Sequence, residues 1–177
     1  MISLRKFFRP DPDPREALRP LWNAVVGAAR APHWYARGGV PDTLDGRFDM
    51  VSLVLALVLH RIDDDPAHRL AGVQLTELFV GDMDGQIRQI GFGDMVVGKQ
   101  IGRMVGALGG RLGAYRAADG SDALKAALVR NLWRGQAPDA AHLEHVAAEV
   151  ARLRAALAAM PVAELIAADR LPGGEPA

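Results

Sequence analysis

The longest apolar stretch of this 177-residue chain is Met50-Val51-Ser52-Leu53-Val54-Leu55-Ala56-Leu57-Val58-Leu59. These residues are too few to cross a bilayer, which takes about 20 apolar residues in a helix. The stretch lies in a predicted helix over residues 47–62 that is apolar nearly all round, and a helix with this pattern is typically buried on all sides. The sequence therefore predicts a central core helix around which the rest of the chain packs.

Helical patterns continue on both sides of this core helix. Residues 14–29 repeat apolar side chains at three- and four-residue spacing, and Pro32 is expected to stop that helix and open a loop over residues 32–46. Further helices are predicted over residues 66–79 with an extension towards 90, and over residues 94–116, 121–133, 138–160 and a short segment from 161. Alternating β-branched residues of the kind a sheet needs are scarce. We therefore expect an all-α fold, a single-domain bundle of about six to seven helices over residues 14–170.

The composition excludes several kinds of chemistry. The chain contains no cysteine, so disulfides, thiolate metal sites and cysteine nucleophiles are impossible. Its 21 Lys and Arg residues balance 21 Asp and Glu residues, and a chain without net positive charge is not expected to bind nucleic acid through its overall charge. We expect a cytoplasmic protein with no specific nucleic-acid partner.

The two ends of the chain are expected to lie outside the folded domain. Residues 9–14 alternate proline with charged residues, so residues 1–13 are predicted to form a flexible N-terminal arm, and residues 171–177 a frayed tail. The arm mixes bulky apolar and basic side chains, which is typical of contact with a membrane surface. A disordered arm whose two aromatic residues pack against the bundle is the alternative. The candidate membrane-contact residues are Leu4, Arg5, Lys6, Phe7, Phe8 and Arg9.

No part of the sequence has the pattern of an active site. The segment Gly93-Asp94-Met95-Val96-Val97-Gly98-Lys99-Gln100 matches the first seven positions of the phosphate-binding loop, but Gln100 lacks the hydroxyl group that binds magnesium at the eighth. The segment before it is also too short and helix-like to be the strand that should precede such a loop. The three serines lie in the arm (Ser3), in the core helix (Ser52) and at the predicted start of the helix over residues 121–133 (Ser121). We expect no catalytic residues.

Two histidines on one helix are the candidate metal ligands. His142 and His145 share one face of the predicted helix over residues 138–160, and Glu149 lies one turn further. Zinc needs at least a third protein ligand, and the sequence does not place one. We therefore expect solvated histidines and no metal.

A glycine repeat marks the predicted helix over residues 94–116. Each interior glycine costs about 0.5–1 kcal/mol relative to alanine, and close approach of another backbone is a physical reason to accept that cost. We favour packing of another helix of the same bundle against this stripe, and docking of an apolar helix from a partner is the alternative. The repeating glycines are Gly98, Gly102, Gly106 and Gly110.

The partner-docking interpretation predicts a set of binding residues around this stripe. Basic residues would lie at its rim, and Tyr115 and Trp133 would serve as aromatic anchors with a polar tip. A core position for both aromatic residues is the alternative. The candidate binding residues are Gly98, Lys99, Gly102, Arg103, Gly106, Gly110, Arg111, Tyr115 and Trp133.

Several blocks of the sequence together resemble one family over about residues 32–160. They are Asp42-Thr43-Leu44-Asp45-Gly46-Arg47-Phe48-Asp49 with His60, Leu78-Phe79 before Asp82-Met83-Asp84, Arg88-Gln89-Ile90-Gly91-Phe92-Gly93-Asp94 before Val97-Gly98-Lys99, Met104, Gly110-Arg111, Ala114-Tyr115, Asn131-Leu132-Trp133 and His142-Leu143-Glu144. With these blocks the chain resembles the ubiquinol–cytochrome c chaperone family, assembly factors for the respiratory cytochrome bc1 complex of bacteria and mitochondria.

The resemblance implies a helical, cofactor-free and non-enzymatic chaperone. Its client would be newly made cytochrome b, which it would help to insert or to acquire haem. The ribosome near its tunnel exit and the surface of the inner membrane are further expected contacts, and the composition favours a bacterial protein. Two other functions stay open: a small helical enzyme of unknown reaction, and a helical adaptor protein without a membrane client.

Overall fold

The structure, a computed structural model, describes residues 13–89 and 94–172. Within these two ranges the chain forms eight α-helices, two short 3-10 helices and no strand, which confirms the predicted all-α bundle. The 3-10 helices, Pro14–Leu18 and Pro66–His68, precede α1 and α4. The α-helices are α1 (Arg19–Ala29), α2 (Pro32–Ala36), α3 (Leu44–Asp63), α4 (Arg69–Gln89), α5 (Asp94–Arg116), α6 (Ser121–Leu132), α7 (Ala140–Ala159) and α8 (Val162–Ile166).

Helix α3 is the centre of the bundle, as its apolar sequence predicts. Every residue from 49 to 59 is buried, and α1, α4, α5, α6 and α7 all pack against this helix. The helix begins where Thr43 caps it, because the Thr43 hydroxyl accepts a hydrogen bond from the amide of Gly46 at 3.1 Å. None of the helices in the described ranges has the length and apolar character needed to cross a membrane.

The structure corrects the sequence prediction in the loop over residues 32–46. Pro32 ends α1 but also begins α2, because proline suits the first turn of a helix, so residues 32–46 are not a continuous loop. Trp34 of α2 is buried in the core, and its indole nitrogen donates to the carbonyl oxygen of Ala28 at 2.8 Å. The short helix therefore belongs to the packed domain.

The borders of the domain also extend beyond the prediction. Asp13, assigned to the arm, accepts a hydrogen bond from the amide of Arg15 at 3.0 Å and so caps the first 3-10 helix. Leu171, assigned to the tail, is buried in the core. Residues 1–12 and 173–177 lie outside the described ranges.

Candidate functional site

The glycine stripe of α5 lies on an open surface. Its glycines are exposed, and a Cβ atom added at any of them would meet no atom of the described chain within 4 Å. The favoured prediction, that another helix of the bundle packs against the stripe, is therefore wrong for the described residues. We call this surface the glycine face, and it comprises Gly98, Gly102, Gly106, Gly109, Gly110 and Gly113.

Basic and apolar side chains are exposed on α5 and on its neighbour α4. Lys99 and Arg103 are exposed and lie one turn apart on α5, near its first turns. Val105, on the same helix, is also exposed despite being apolar. On α4, which packs beside α5, Leu70 and Val73 are 68% and 55% exposed. The exposed surface of these two helices thus combines small, apolar and positively charged residues.

Arg111 points away from the glycine face, towards the core helix. Its guanidinium group forms an ion pair with Asp49 of α3, donates to the carbonyl oxygen of Ala107 at 3.2 Å and lies 5.4 Å from the centroid of the Phe48 ring. Asp49 is 2% exposed, so this ion pair is largely removed from water. Arg111 therefore fastens α5 to α3 instead of lying at the rim of the candidate site.

Burial and the neighbouring charges have opposite effects on the ionisation of Asp49. Burial raises the pKa of the Asp49 carboxyl group, while the positive charges of Arg111 and Arg134 act in the opposite direction. Arg134 lies 2.9 Å from Asp45 and 3.8 Å from Asp49, so it joins the same charged group from the end of α6. The ion pair of Asp49 with Arg111 keeps the carboxylate compatible with its buried position.

Tyr115 and Trp133 occupy core positions, which favours the alternative that the sequence left open. They are 1% and 8% exposed, so neither can act as a surface anchor in this conformation. The indole nitrogen of Trp133 donates to the carbonyl oxygen of Gly39 at 3.0 Å, which ties the end of α6 to the segment after α2. Burial raises the pKa of the Tyr115 hydroxyl group, and this hydroxyl has no hydrogen-bond partner in the described structure.

Helices α3 and α5 carry three buried polar atoms without a hydrogen-bond partner in the part of the chain that the structure describes. Ser52 Oγ, Arg111 Nε and Tyr115 Oη are all buried without a hydrogen-bond partner among the described residues. A buried polar group left unpaired costs about 1–3 kcal/mol, so these three atoms lower the stability of the folded domain. The C-terminal part of α5 is therefore held to the core by a specific charged contact within a costly polar environment.

His142 and His145 each contact a distant residue that the sequence pattern does not reveal. His33 Nδ1 of α2 lies 3.2 Å from His145 Nε2 of α7, 112 residues away along the chain. His142 packs against Gly39, where a Cβ atom would lie 2.4 Å from His142 Nδ1. Within the described ranges, no group of three or more candidate ligands is arranged to hold a metal ion. The absence of a metal stays a prediction.

Two further predicted features fall partly or wholly beyond the described residues. Residues 94–100 form the first turns of α5, with Val97 buried, so this part of the incomplete phosphate-loop motif is helical. Gly93 lies outside the described ranges. The candidate membrane-contact residues lie outside them too: Leu4, Arg5, Lys6, Phe7, Phe8 and Arg9.

Comparisons with known proteins cover most of the chain. The family model described as ubiquinol-cytochrome C chaperone matches residues 36–170, from the end of α2 to beyond α8. The crystal structure of the Cbp3 homolog from Brucella abortus is similar, with 31% sequence identity, a TM-score of 0.78 and coverage of 90% of each chain. No curated protein sequence matches the chain significantly.

Proposed function

Because the chain belongs to the ubiquinol–cytochrome c chaperone family, we propose that it is a non-enzymatic assembly chaperone of the cytochrome bc1 complex. Its client is newly made cytochrome b, and it aids the insertion of this subunit or its acquisition of haem. The observation that carries the client-binding part of the proposal is the uncovered glycine face of α5.

A glycine face suits a transmembrane helix as its occupant. Small residues let two helix backbones approach closely, which is how transmembrane helices associate when there is no hydrophobic driving force between them. Residues 98 and 110 are separated by about 18 Å of axial rise, and a transmembrane helix spans about 30 Å of hydrocarbon. The glycine face would cover more than half of such a segment before it enters the membrane.

The low helix propensity of α5 also supports binding of a client helix at the glycine face. The four glycines of the repeat cost the helix roughly 2–4 kcal/mol relative to alanine, and no contact within the described chain compensates for it. Docking of a client helix would supply the missing contacts. The client-binding residues in this proposal are Gly98, Lys99, Gly102, Arg103, Gly106 and Gly110.

Three of the residues predicted at this site take a supporting role in the proposal. Arg111 holds α5 against α3, while Tyr115 and Trp133 fill the core beneath α5 and α6. They keep the glycine face in place without touching the client. Lys99 and Arg103 stay at the rim, where they can pair with acidic groups in the loops that flank a transmembrane segment.

Site-specific crosslinking during synthesis of cytochrome b tests the proposed surface. Photo-crosslinkers at positions 99 and 103 are expected to capture the nascent client. A probe at the exposed position 152 of α7 is the control and is expected to capture none. Capture by the α7 probe alone would place the client on another face of the bundle.

Genetic deletion separates the chaperone from the two other functions. Loss of the bc1 haem spectrum with unchanged cytochrome b transcript is expected for an assembly chaperone. A normal bc1 complex together with a metabolic defect would favour an enzyme, and a normal bc1 complex without one would favour an adaptor.

The N-terminal arm has its own place in the proposal. Residues 1–9 hold the protein against the inner membrane, close to the ribosomal tunnel exit, while the helical domain stays on the cytoplasmic side. Flotation with anionic liposomes tests this part: deletion of residues 1–10 is expected to weaken association. Unchanged flotation of the deletion variant would contradict it.

A further inference from the structure

A cleft of about 320 Å³ opens where α3, the end of α5 and α7 meet, away from the glycine stripe. Its polar lining consists mainly of arginines from three different helices: Arg61 from α3, Arg116 from α5 and Arg154 from α7. His60 and Asp64 also line it, and Leu57 and Leu157 contribute apolar walls. None of these residues belongs to the proposed client surface.

Arg61 and Arg154 bind backbone carbonyl groups at the ends of helices. Arg61 Nη2 donates to the carbonyl oxygen of Met160 at 2.9 Å, and Arg154 Nη2 donates to that of Tyr115 at 2.6 Å. Among the described residues, neither arginine forms an ion pair with a carboxylate. The positive charge of Arg61 acts on the nearby carboxyl group of Asp65 and helps to lower its pKa, whereas no carboxylate in the described ranges acts on Arg154.

The position of Arg154 makes this lack of a counter-ion significant. Burial lowers the pKa of Arg154, with only Tyr115 acting in the opposite direction. A buried or half-buried charge is normally paired, because its removal from water is costly. An anion in the cleft would supply the partner that Arg154 lacks.

The other titratable groups leave the cleft positively charged. Burial, together with the charges of Arg116 and Arg154, lowers the pKa of His60 and favours its neutral form. Arg116 Nη2 binds Asp63 at 2.6 Å, which uses part of one guanidinium group. Within the described chain, the three lining arginines then face two carboxylates, Asp64 in the lining and Asp63 on Arg116, and Arg154 is the arginine on which no carboxylate acts.

We propose that this cleft binds a phosphate group through Arg61, Arg116 and Arg154. Each guanidinium group has five N–H donors, and the observed contacts occupy only part of them. A phosphate group has enough oxygen atoms to accept from guanidinium groups of three helices, whereas a carboxylate is matched by one. The carbonyl oxygens at the ends of α5 and α7 do not repel it strongly, because Arg154 and Arg61 already donate to them.

The size and apolar walls of the cleft indicate a ligand larger than inorganic phosphate. A volume of about 320 Å³ is at the lower end of the range for small-molecule sites, and Leu57 and Leu157 offer contact to an apolar group beside the phosphate. The ligand is therefore an organic phosphate. It is either a soluble phosphate ester or the headgroup of a phospholipid, and both present the same group to the arginines.

Thermal unfolding of the full chain with inorganic phosphate tests the site. At constant ionic strength and a phosphate concentration about five times Kd, the Tm is expected to rise by about 2–4 °C over that in chloride. Arg116→Gln is expected to remove most of this rise and to fold normally, because the Arg116 side chain is 55% exposed and its surface ion pair adds little stability. Arg154→Lys keeps the charge but loses the planar fork, and is expected to weaken binding as well.

Arg152→Gln is the matched control. Arg152 lies on α7 two residues before Arg154, is 54% exposed and also forms an ion pair, with Glu149, but does not line the cleft. This variant is expected to keep the full rise in Tm. No rise in the unmodified protein, or the same rise in Arg116→Gln and Arg154→Lys, would overturn the proposal.

Vesicle flotation then distinguishes the two sources of phosphate. Because the arm also contributes to flotation on anionic vesicles, the comparison is between the unmodified protein, Arg116→Gln and Arg152→Gln on vesicles of phosphatidylcholine and phosphatidic acid. Flotation that is weaker in Arg116→Gln than in Arg152→Gln and is reduced by free phosphate would identify a lipid headgroup. An Arg116-dependent rise in Tm with equal flotation of the two variants would identify a soluble phosphate ester. Neither experiment involves cytochrome b, so their outcome is independent of the proposed chaperone function.

Discussion

The two faces of α5 behave in opposite ways. The inner face places Val97, Leu108 and Tyr115 in the core and fastens the helix to α3 through the ion pair of Arg111 with Asp49. The outer face is the glycine face, whose residues lower helix stability and make no compensating contact within the described chain. The inner face therefore stabilises the domain, and under the proposed function the outer face is where the client binds.

Loss of Asp49 is expected to have the largest effect on the inner face. Asp49→Ala leaves the guanidinium group of Arg111 largely buried without its counter-ion, which costs about 3–5 kcal/mol of unfolding free energy. Chemical denaturation measures the loss. Asp45→Ala, which removes an exposed carboxylate of the same helix, is the control and is expected to cost less than about 1 kcal/mol. Equal losses in both variants would show that the ion pair does not fasten α5.

Gly46 of α3 and the glycines of α5 are expected to respond to alanine substitution in opposite directions. Gly46 of α3 is tightly enclosed, because a Cβ atom there would lie 1.9 Å from the carbonyl oxygen of Pro41. Gly46→Ala is therefore expected to destabilise the protein by about 1–3 kcal/mol, as overpacking usually does. The measurement is again the unfolding free energy, and an unchanged value would mean that the segment before α3 moves aside without cost.

Alanine on the glycine face is expected to act in the opposite direction. Gly102→Ala and Gly106→Ala meet open space, so each should raise the unfolding free energy by about 0.5–1 kcal/mol through helix propensity. The same denaturation experiment gives the sign. A loss of stability in either variant would indicate that a part of the chain covers this face in solution.

The smallest expected effect concerns His60 at the end of α3. Burial lowers the pKa of His60 in the folded protein below its usual value of 6.5, so the unfolded chain binds the proton more readily. The neutral imidazole therefore contributes its full stability above about pH 6.5, and this contribution is lost as the pH falls through the folded pKa. His60→Gln is expected to flatten the pH dependence of stability in that window, and an identical slope in the variant would refute the assignment.

The features of the fold that depend on local periodicity could be predicted from the sequence. The apolar run of α3 indicated its central position, and the four-residue spacing of Gly98, Gly102, Gly106 and Gly110 indicated that they share one face. Periodicity does not reveal which face of a helix turns to the core. For that reason the exposure of the glycine face could not be predicted.

Contacts between residues far apart in the chain could not be predicted from the sequence either. Asp49 and Arg111 are separated by 62 residues and His33 and His145 by 112, and neither pair has a local pattern that joins them. The arginines of the phosphate cleft come from three helices, so no motif marks them either. Tyr115 and Trp133 have the apolar body and polar tip of surface anchors, and only the packing of the helices reveals that they are core residues.

The most direct test of client binding at the glycine face is a large side chain placed on it. Gly106→Leu adds apolar volume where no described atom lies within 4 Å, so the variant is expected to fold with a Tm at least equal to that of the unmodified protein. In a deletion strain, it is expected to restore the bc1 haem spectrum about tenfold less well or worse, because overpacking at a helix contact costs about 1–3 kcal/mol. Gly27→Leu, at an equally open glycine of α1, is the control and should restore the spectrum. Full restoration by a well-folded Gly106→Leu variant would contradict the claim that the client docks on this face.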